Sequence, residues 1–194
     1  MRYEKGHRDA SRERILQAAS ERFRADGIAA SGLARVMKDA GLTNGAFYPH
    51  FESKAELVRE SLVAALDAQA DQMRQILAAD GLEGLIAAYL SPRHRDNPQD
   101  GCATSALAAE IAREPQETRS AYTERVAAFA ELVAAYLPPH TTDREAAATA
   151  LLATCIGTLQ IARAVDGTEM SDRILAAGQE AARTLLRTSA SSAT

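Results

Sequence analysis

The sequence predicts an all-α protein of about nine helices in two parts, and three observations predict it. Alanine is abundant, and no run of five or six residues keeps up the apolar/polar alternation of a strand. Apolar residues recur instead at three- and four-residue spacing, broken by single glycines and prolines. With 194 residues, 46% of them hydrophobic, the chain can bury a real core, as one two-part unit or two small domains.

The first helix is the clearest. Ser11 is its candidate cap, Ile15, Leu16, Ala19 and Phe23 share one face, and Gly27 suits a left-handed stop. A short second helix follows, with Ser31 as cap and Leu33, Val36, Met37 and Ala40 on one side; Gly41 ends it. After Leu42, Thr43 can cap a third helix of hardly more than two turns before Pro49 interferes. Two short helices joined by a tight turn containing glycine form a helix-turn-helix, whose second member enters the major groove of DNA. Gly45 removes a side chain where such an element needs its backbone close to DNA. Its lost helix propensity, about 1 kcal/mol, is tolerable in a segment pinned by tertiary contacts.

The stretch "ERILQAASERFRADGIAASGLARVMKDAGLTNGAFYPHFESKAEL", Glu13 to Leu57, resembles the DNA-binding domain of the tetracycline-repressor (TetR) family of bacterial transcription regulators. The likeness lies in a helix ending F-x-x-x-G, a helix ending A-G-L, and the run G-A-F-Y-x-H-F-x-S-K. It implies that Ser31 and Thr43 bond phosphates at helix starts, where the helix dipole favours an anion. Asn44, Gly45 and Ala46 would face base edges, Tyr48 and His50 would touch the DNA backbone, and Lys54 would pair with a phosphate. Leu42, Phe47 and Phe51 would hold the unit together. Pro49 departs from the family pattern, which often has an aromatic residue or histidine there. On this resemblance residues 1–52 are the reading domain and 53–188 a helical ligand-sensing and dimerisation domain, while 189–194, "SASSAT", is a disordered tail by composition.

Beyond Lys54 a long amphipathic segment, 55–79, links the two parts. Gly81 and Gly84 punctuate the start of a further helix through Leu90, and 91–101, "SPRHRDNPQDG", is the strongest loop. Helical runs follow at about 102–113, 115–137, 143–165 and 171–186. The last two carry apolar residues on more than one face, among them Leu151, Ile161, Val165, Leu175 and Leu185, with small Ala150, Ala153, Gly157 and Ala162 allowing close approach. Such helices must bury both faces. Packing the pair against its own copy makes a homodimer, which a helix-turn-helix reader needs for a two-fold operator; the alternative is a monomer's core.

Cys102 opens a helix in "GCATSALAAEIAREP", which resembles the electrophile- and oxidant-responsive branch of the same family. A thiol in a first helical turn sits near the positive dipole end, which favours thiolate and reactivity. The alternative is a small packing residue, as Cys155 is expected to be. Neither cysteine has metal-site spacing, and no metal or cofactor is implied. Residues 1–60 carry 11 Lys+Arg against 9 Asp+Glu, and the rest 11 against 17, so the front segment is basic within a chain of net charge −4. No apolar run approaches the roughly 20 residues of a membrane span, nor does the N-terminus hold one fit for a signal peptide, so a cytoplasmic location is expected. No hydrolase triad spacing, phosphate-cradling glycine loop or H-x-x-x-H occurs, which argues against an enzyme. The function expected is a ligand-responsive transcriptional repressor, released from a double-stranded operator by a small molecule or thiol-reactive compound. The alternative is a helical small-molecule binder or adaptor without DNA function.

Overall fold

The computed structural model describes residues 5–139 and 141–191, and among them it is entirely helical. In chain order the α-helices are α1 (Lys5–Asp26), α2 (Leu33–Asp39), α3 (Lys54–Tyr89), α4 (Pro92–Asp96), α5 (Ala103–Ile111), α6 (Gln116–Tyr136), α7 (Arg144–Ala164) and α8 (Thr168–Ser191). Short 3-10 turns at Asn44–Ala46 and Pro98–Asp100 complete the chain. Gly81, at φ 63° and ψ −158°, breaks α3 into two segments, where the glycine punctuation of the sequence placed a boundary.

Helix α1 begins well before Ser11, which is buried in its interior and accepts a hydrogen bond from Arg14; the expected cap at Ser11 is therefore incorrect. Gly27 ends α1 at φ 87°, its N–H bonding the Phe23 carbonyl at 2.8 Å. The positive φ is what calls for glycine; a β-carbon there would also stand 2.7 Å from a carboxylate oxygen of Glu110 and displace it. The A-G-L turn after α2 is a Schellman motif: Gly41, at φ 68°, bonds the Lys38 carbonyl, and Leu42 bonds that of Met37 at 2.9 Å.

The expected third helix is absent. Thr43 N-caps only the 3-10 turn, with no side-chain bond. Proline lacks the N–H a continuing helix requires, so the chain closes two staggered turns instead: Phe47 N–H to the Asn44 carbonyl, then Phe51 N–H to the Phe47 carbonyl at 3.1 Å. What replaces helical hydrogen bonding is packing. Phe47 and Phe51 are 2% and 1% exposed and stack at 5.6 Å between ring centroids, against a core of Ile15, Ala19, Phe23, Val36 and Met37.

Helix α3 opens on a Ser53 cap whose hydroxyl accepts the Glu56 N–H at 3.1 Å, and runs out of the front unit into the second layer. There α6 packs along α3, α7 along α6, and α8 along α7, the most extensive pairing in the molecule. α7 and α8 approach closely where Gly178 meets Thr158, since a β-carbon on Gly178 would lie 2.2 Å from the threonine methyl. The expected loop at 91–101 contains helix α4, started by Ser91 accepting the His94 N–H at 3.2 Å with Pro92 in the first turn.

α7 carries an apolar window of mean hydropathy 1.3, long enough by composition to cross a membrane, which corrects the expectation that no run approaches that length. Only 28% of the window is buried within this chain, although α7 packs against α5, α6 and α8. Helix α8 continues to Ser191, into the stretch expected as a tail; residues 192–194 of that tail lie outside the described residues.

Candidate nucleic-acid interface

The tip of the front unit follows from the two staggered turns. Because Phe47 and Phe51 point inward, their neighbours point out: Thr43, Asn44, Gly45 and Tyr48 are exposed, Tyr48 by 73%, while Ala46 is half-buried. The Tyr48 ring stands edge-on to Phe47 at 5.3 Å, so a core residue fixes its position and leaves the hydroxyl in solvent. Gly45 has no positive φ, and a β-carbon built on it meets nothing within 4 Å. The fold itself does not require glycine there.

Other expected residues turn inward. Ser31 is 0% exposed, its hydroxyl donates to the Gly27 carbonyl at 2.6 Å, and Gly32 is the residue that N-caps α2. A phosphate cannot reach that hydroxyl in this conformation, and its work is to close the α1–α2 turn. Lys54 donates to the Ile28 carbonyl at 2.6 Å, tying the start of α3 to the same turn. Its ammonium keeps two further donors. His50 is half-buried, with Nδ1 buried and unpartnered; burial, with Arg8 and Arg12 nearby, holds its pKa below the ordinary value and favours the neutral ring.

Sequence reasoning missed several basic residues. Arg8 donates to the Pro49 carbonyl at 2.6 Å and so clamps the tip from the start of α1. Arg12 lies 4.8 Å above the Phe51 ring and pairs with Glu60. Arg35 and Lys38 are exposed on α2 at i and i+3, a spacing that could have been read from the sequence.

In the second layer, Cys102 is the N-cap of α5, as the helix-start reading expected, but it is only 4% exposed. Its N–H donates to His94 Nε2 at 3.0 Å, which requires the other ring nitrogen, 2.7 Å from the Tyr89 carbonyl, to be the donor there. Burial lowers the His94 pKa, and Arg163 lowers it further against the raising effect of that carbonyl bond. Arg95 pairs with Asp96 and with Asp172 at 2.6 Å. Arg163 donates to the His94 carbonyl at 2.6 Å and to Ser105 Oγ at 3.1 Å. The Tyr89 hydroxyl and Thr104 Oγ1 are buried here without hydrogen-bond partners. Burial pushes the Tyr89 phenol well up and the Cys155 thiol up to about 12. Among the described residues no cluster of His, Cys, Asp or Glu could hold a metal.

Residues 15–61 match the model for bacterial regulatory proteins of the tetR family. The chain carries a tetR-family N-terminal domain. Over 52 residues it is 44% identical to the HTH-type transcriptional regulator TtgR of Pseudomonas putida. Over 82 residues it is 33% identical to the HTH-type transcriptional repressor KstR2 of Mycolicibacterium smegmatis. These stretches are 27% and 41% of this chain, and only 25% and 40% of the curated relatives' length. Solved structures extend the likeness in fold, a helix-turn-helix unit followed by a helical one, over most of the chain. Escherichia coli NemR in its reduced form superposes with a TM-score of 0.71 at 20% identity, covering 88% of this chain and 95% of that one. A tetR-family regulator from Agrobacterium tumefaciens gives 0.75 at 18%, covering 90% and 98%.

Proposed function

We propose that the protein is a ligand-responsive DNA-binding transcriptional regulator, acting in the cytoplasm as a repressor. Residues 1–52 read a two-fold operator, and 53–188 sense an effector and dimerise. The observation that carries this reading is Gly45: an exposed glycine in an open, ordinary backbone conformation, beside an exposed tyrosine held by the core. An absent side chain that the fold does not need is explained by a partner whose surface comes close to the backbone. Thr43 and Tyr48 then bond phosphates, Asn44 faces base edges, and Arg35 and Lys38 on α2 supply the charge that phosphate contact requires. Ser31 and Lys54 act indirectly, by fixing the turn that carries α2.

A homodimer through α7 and α8 is supported by what those helices leave uncovered. Ala153, Gly157, Ile161 and Ala164 lie along one side of α7; Ile161 is 56% exposed, and a β-carbon on Gly157 would meet nothing within 4 Å. On α8, Met170 is 46% exposed and Ala177 and Ala181 are exposed as well. A second copy of the same pair covers these faces and makes a four-helix interface. We infer that the effector region lies around Cys102, Tyr89 and Thr104, where the buried Tyr89 hydroxyl and Thr104 Oγ1 give an otherwise apolar layer polar groups to offer a small molecule. The buried thiol becomes a sensor only when the start of α5 opens, and an effector weakens DNA binding only by favouring one arrangement of the helices over another.

The test is a mobility shift on the DNA upstream of the chain's own gene. Tyr48→Ala is expected to weaken the shift about ten- to 150-fold, as loss of one hydrogen bond to a charged group, about 1.5–3 kcal/mol, predicts. Gly45→Val is expected to abolish the shift while leaving thermal stability within a few degrees of wild type, about ±0.5 kcal/mol. Wild-type binding by both variants would remove the tip from the interface.

A further inference from the structure

The tip brings no cation of its own. From Asp39 to Ser53 the sequence has neither lysine nor arginine, and its charged residues are Asp39 and Glu52. The two lysines that flank this stretch differ: Lys38 is exposed on α2, while Lys54 turns inward to the Ile28 carbonyl. His50 does not make up the deficit, because burial, with Arg8 and Arg12 nearby, favours its neutral ring. Affinity for phosphate comes mainly from cations. A charge on the Tyr48–His50 side of the tip therefore has to come from another element.

Helix α1 holds one there. Pro49 cannot continue a helix, and among the described residues no backbone N–H takes its carbonyl, which leaves an acceptor at the tip. The Arg8 guanidinium donates to that carbonyl at 2.6 Å. The partner is neutral, so it orients the guanidinium without discharging it, and the remaining N–H donors stay available. Arg12 and Arg22 are placed otherwise: Arg12 pairs with Glu60, and Arg22 with Asp26 and Asp39. Arg8 is exposed, and among the described residues it has no carboxylate partner.

We propose that Arg8 is a DNA-backbone contact, its guanidinium presented to a phosphate at the edge of the tip by the Pro49 carbonyl. This deepens the regulator reading and rests on it. A guanidinium already held by one bond loses less freedom when it meets the phosphate than a free arginine would. A phosphate contact fixes position and carries no base preference, so Arg8 sets where the tip sits on the duplex while Asn44 faces the bases. Pro49 gains a role in this arrangement through its carbonyl rather than its side chain.

The test is the salt dependence of binding to the DNA upstream of the chain's own gene, for wild type, Arg8→Gln, Arg8→Lys and Arg93→Gln. Arg93 is an exposed arginine of α4 in the second layer, and its loss controls for net charge. Each phosphate contact contributes about 0.9 to the slope of log affinity against log salt. Arg8→Gln is expected to lower the slope by about that much per protomer and to weaken binding about tenfold or more. The same loss is expected on duplex DNA of random sequence. Arg8→Lys keeps the charge and is expected to keep the slope while losing part of the affinity, since an ammonium lacks the planar fork that holds carbonyl and phosphate together. Thermal stability should stay near wild type in all three variants, because the substituted residues are exposed. The proposal is overturned if Arg8→Gln binds with the wild-type slope and affinity, or loses no more slope than Arg93→Gln. That outcome, with a wild-type chain that binds DNA, removes this contact and leaves the regulator reading standing; a wild-type chain that binds no duplex removes both.

Discussion

Replacing Phe47 with alanine is expected to unfold the front unit while the second layer stays folded. Phe47 is 2% exposed, and it is the residue on which both staggered turns close: its N–H ends the first, and its carbonyl accepts from His50 and Phe51. Truncating a buried phenylalanine costs about 3–5 kcal/mol, a large share of the roughly 5–15 kcal/mol that stabilises a whole domain. In this unit little else compensates. The segment has only short turns of its own, closed by single bonds at Phe47 and Phe51; Phe51 loses its stacking partner, and Tyr48 loses the edge that positions it. Amide exchange should rise to the unprotected rate across 33–51 while α7 and α8 keep their protection, and DNA binding should be lost. A Phe47→Ala chain whose 33–51 segment stays protected would mean that the tip is held by something other than this aromatic pair.

The second large effect is expected at Ile161. If α7 and α8 meet a second copy, a two-fold axis places Ile161 at the contact twice, and Ile161→Glu replaces two buried side chains with two charges. Burial of an isoleucine is worth about 1.5–3 kcal/mol, so the two copies amount to roughly 3–6 kcal/mol, about two to four orders of magnitude in the dimer dissociation constant. Light scattering on the eluting protein should give the mass of two chains for the wild type and of one for the variant. The variant should also lose affinity for a two-fold DNA site, because each protomer then binds alone. A wild-type chain that elutes as a monomer, or a variant that remains dimeric, would place the interface elsewhere.

The sequence made the scaffold readable and left the long-range polar contacts hidden. Gly27 and Gly41 could be assigned as helix stops because a positive φ is a local demand, and local demands leave a mark in the sequence. The apolar faces of α1 and α2 were readable for the same reason, since periodicity is local. Ser31 was misassigned because a serine before a helix reads the same whether it caps the helix or, as here, turns back to the Gly27 carbonyl. The phosphate role of Lys54 comes from the family resemblance alone, and its bond to the Ile28 carbonyl, 26 residues away, leaves no local mark in the sequence. The third helix is overextended in the sequence reading because Pro49 is taken as ending it only after two turns, whereas the chain forms only a 3-10 turn at Asn44–Ala46. Arg163 and His94, which hold the start of α5, were not foreseen, because each acts on residues far along the chain. The helix start at Cys102 was legible from sequence, and the burial of its thiol was not.

The most direct test of the central claim, that the tip at Thr43–Tyr48 seats in duplex DNA, is the affinity of the purified chain for the DNA upstream of its own gene as salt is varied. Saturable binding by two chains per site is predicted, with affinity falling by about 10³-fold or more between 50 and 200 mM salt as phosphate contacts release counterions. No binding at low ionic strength, to that fragment or to duplex DNA of random sequence, would contradict the account.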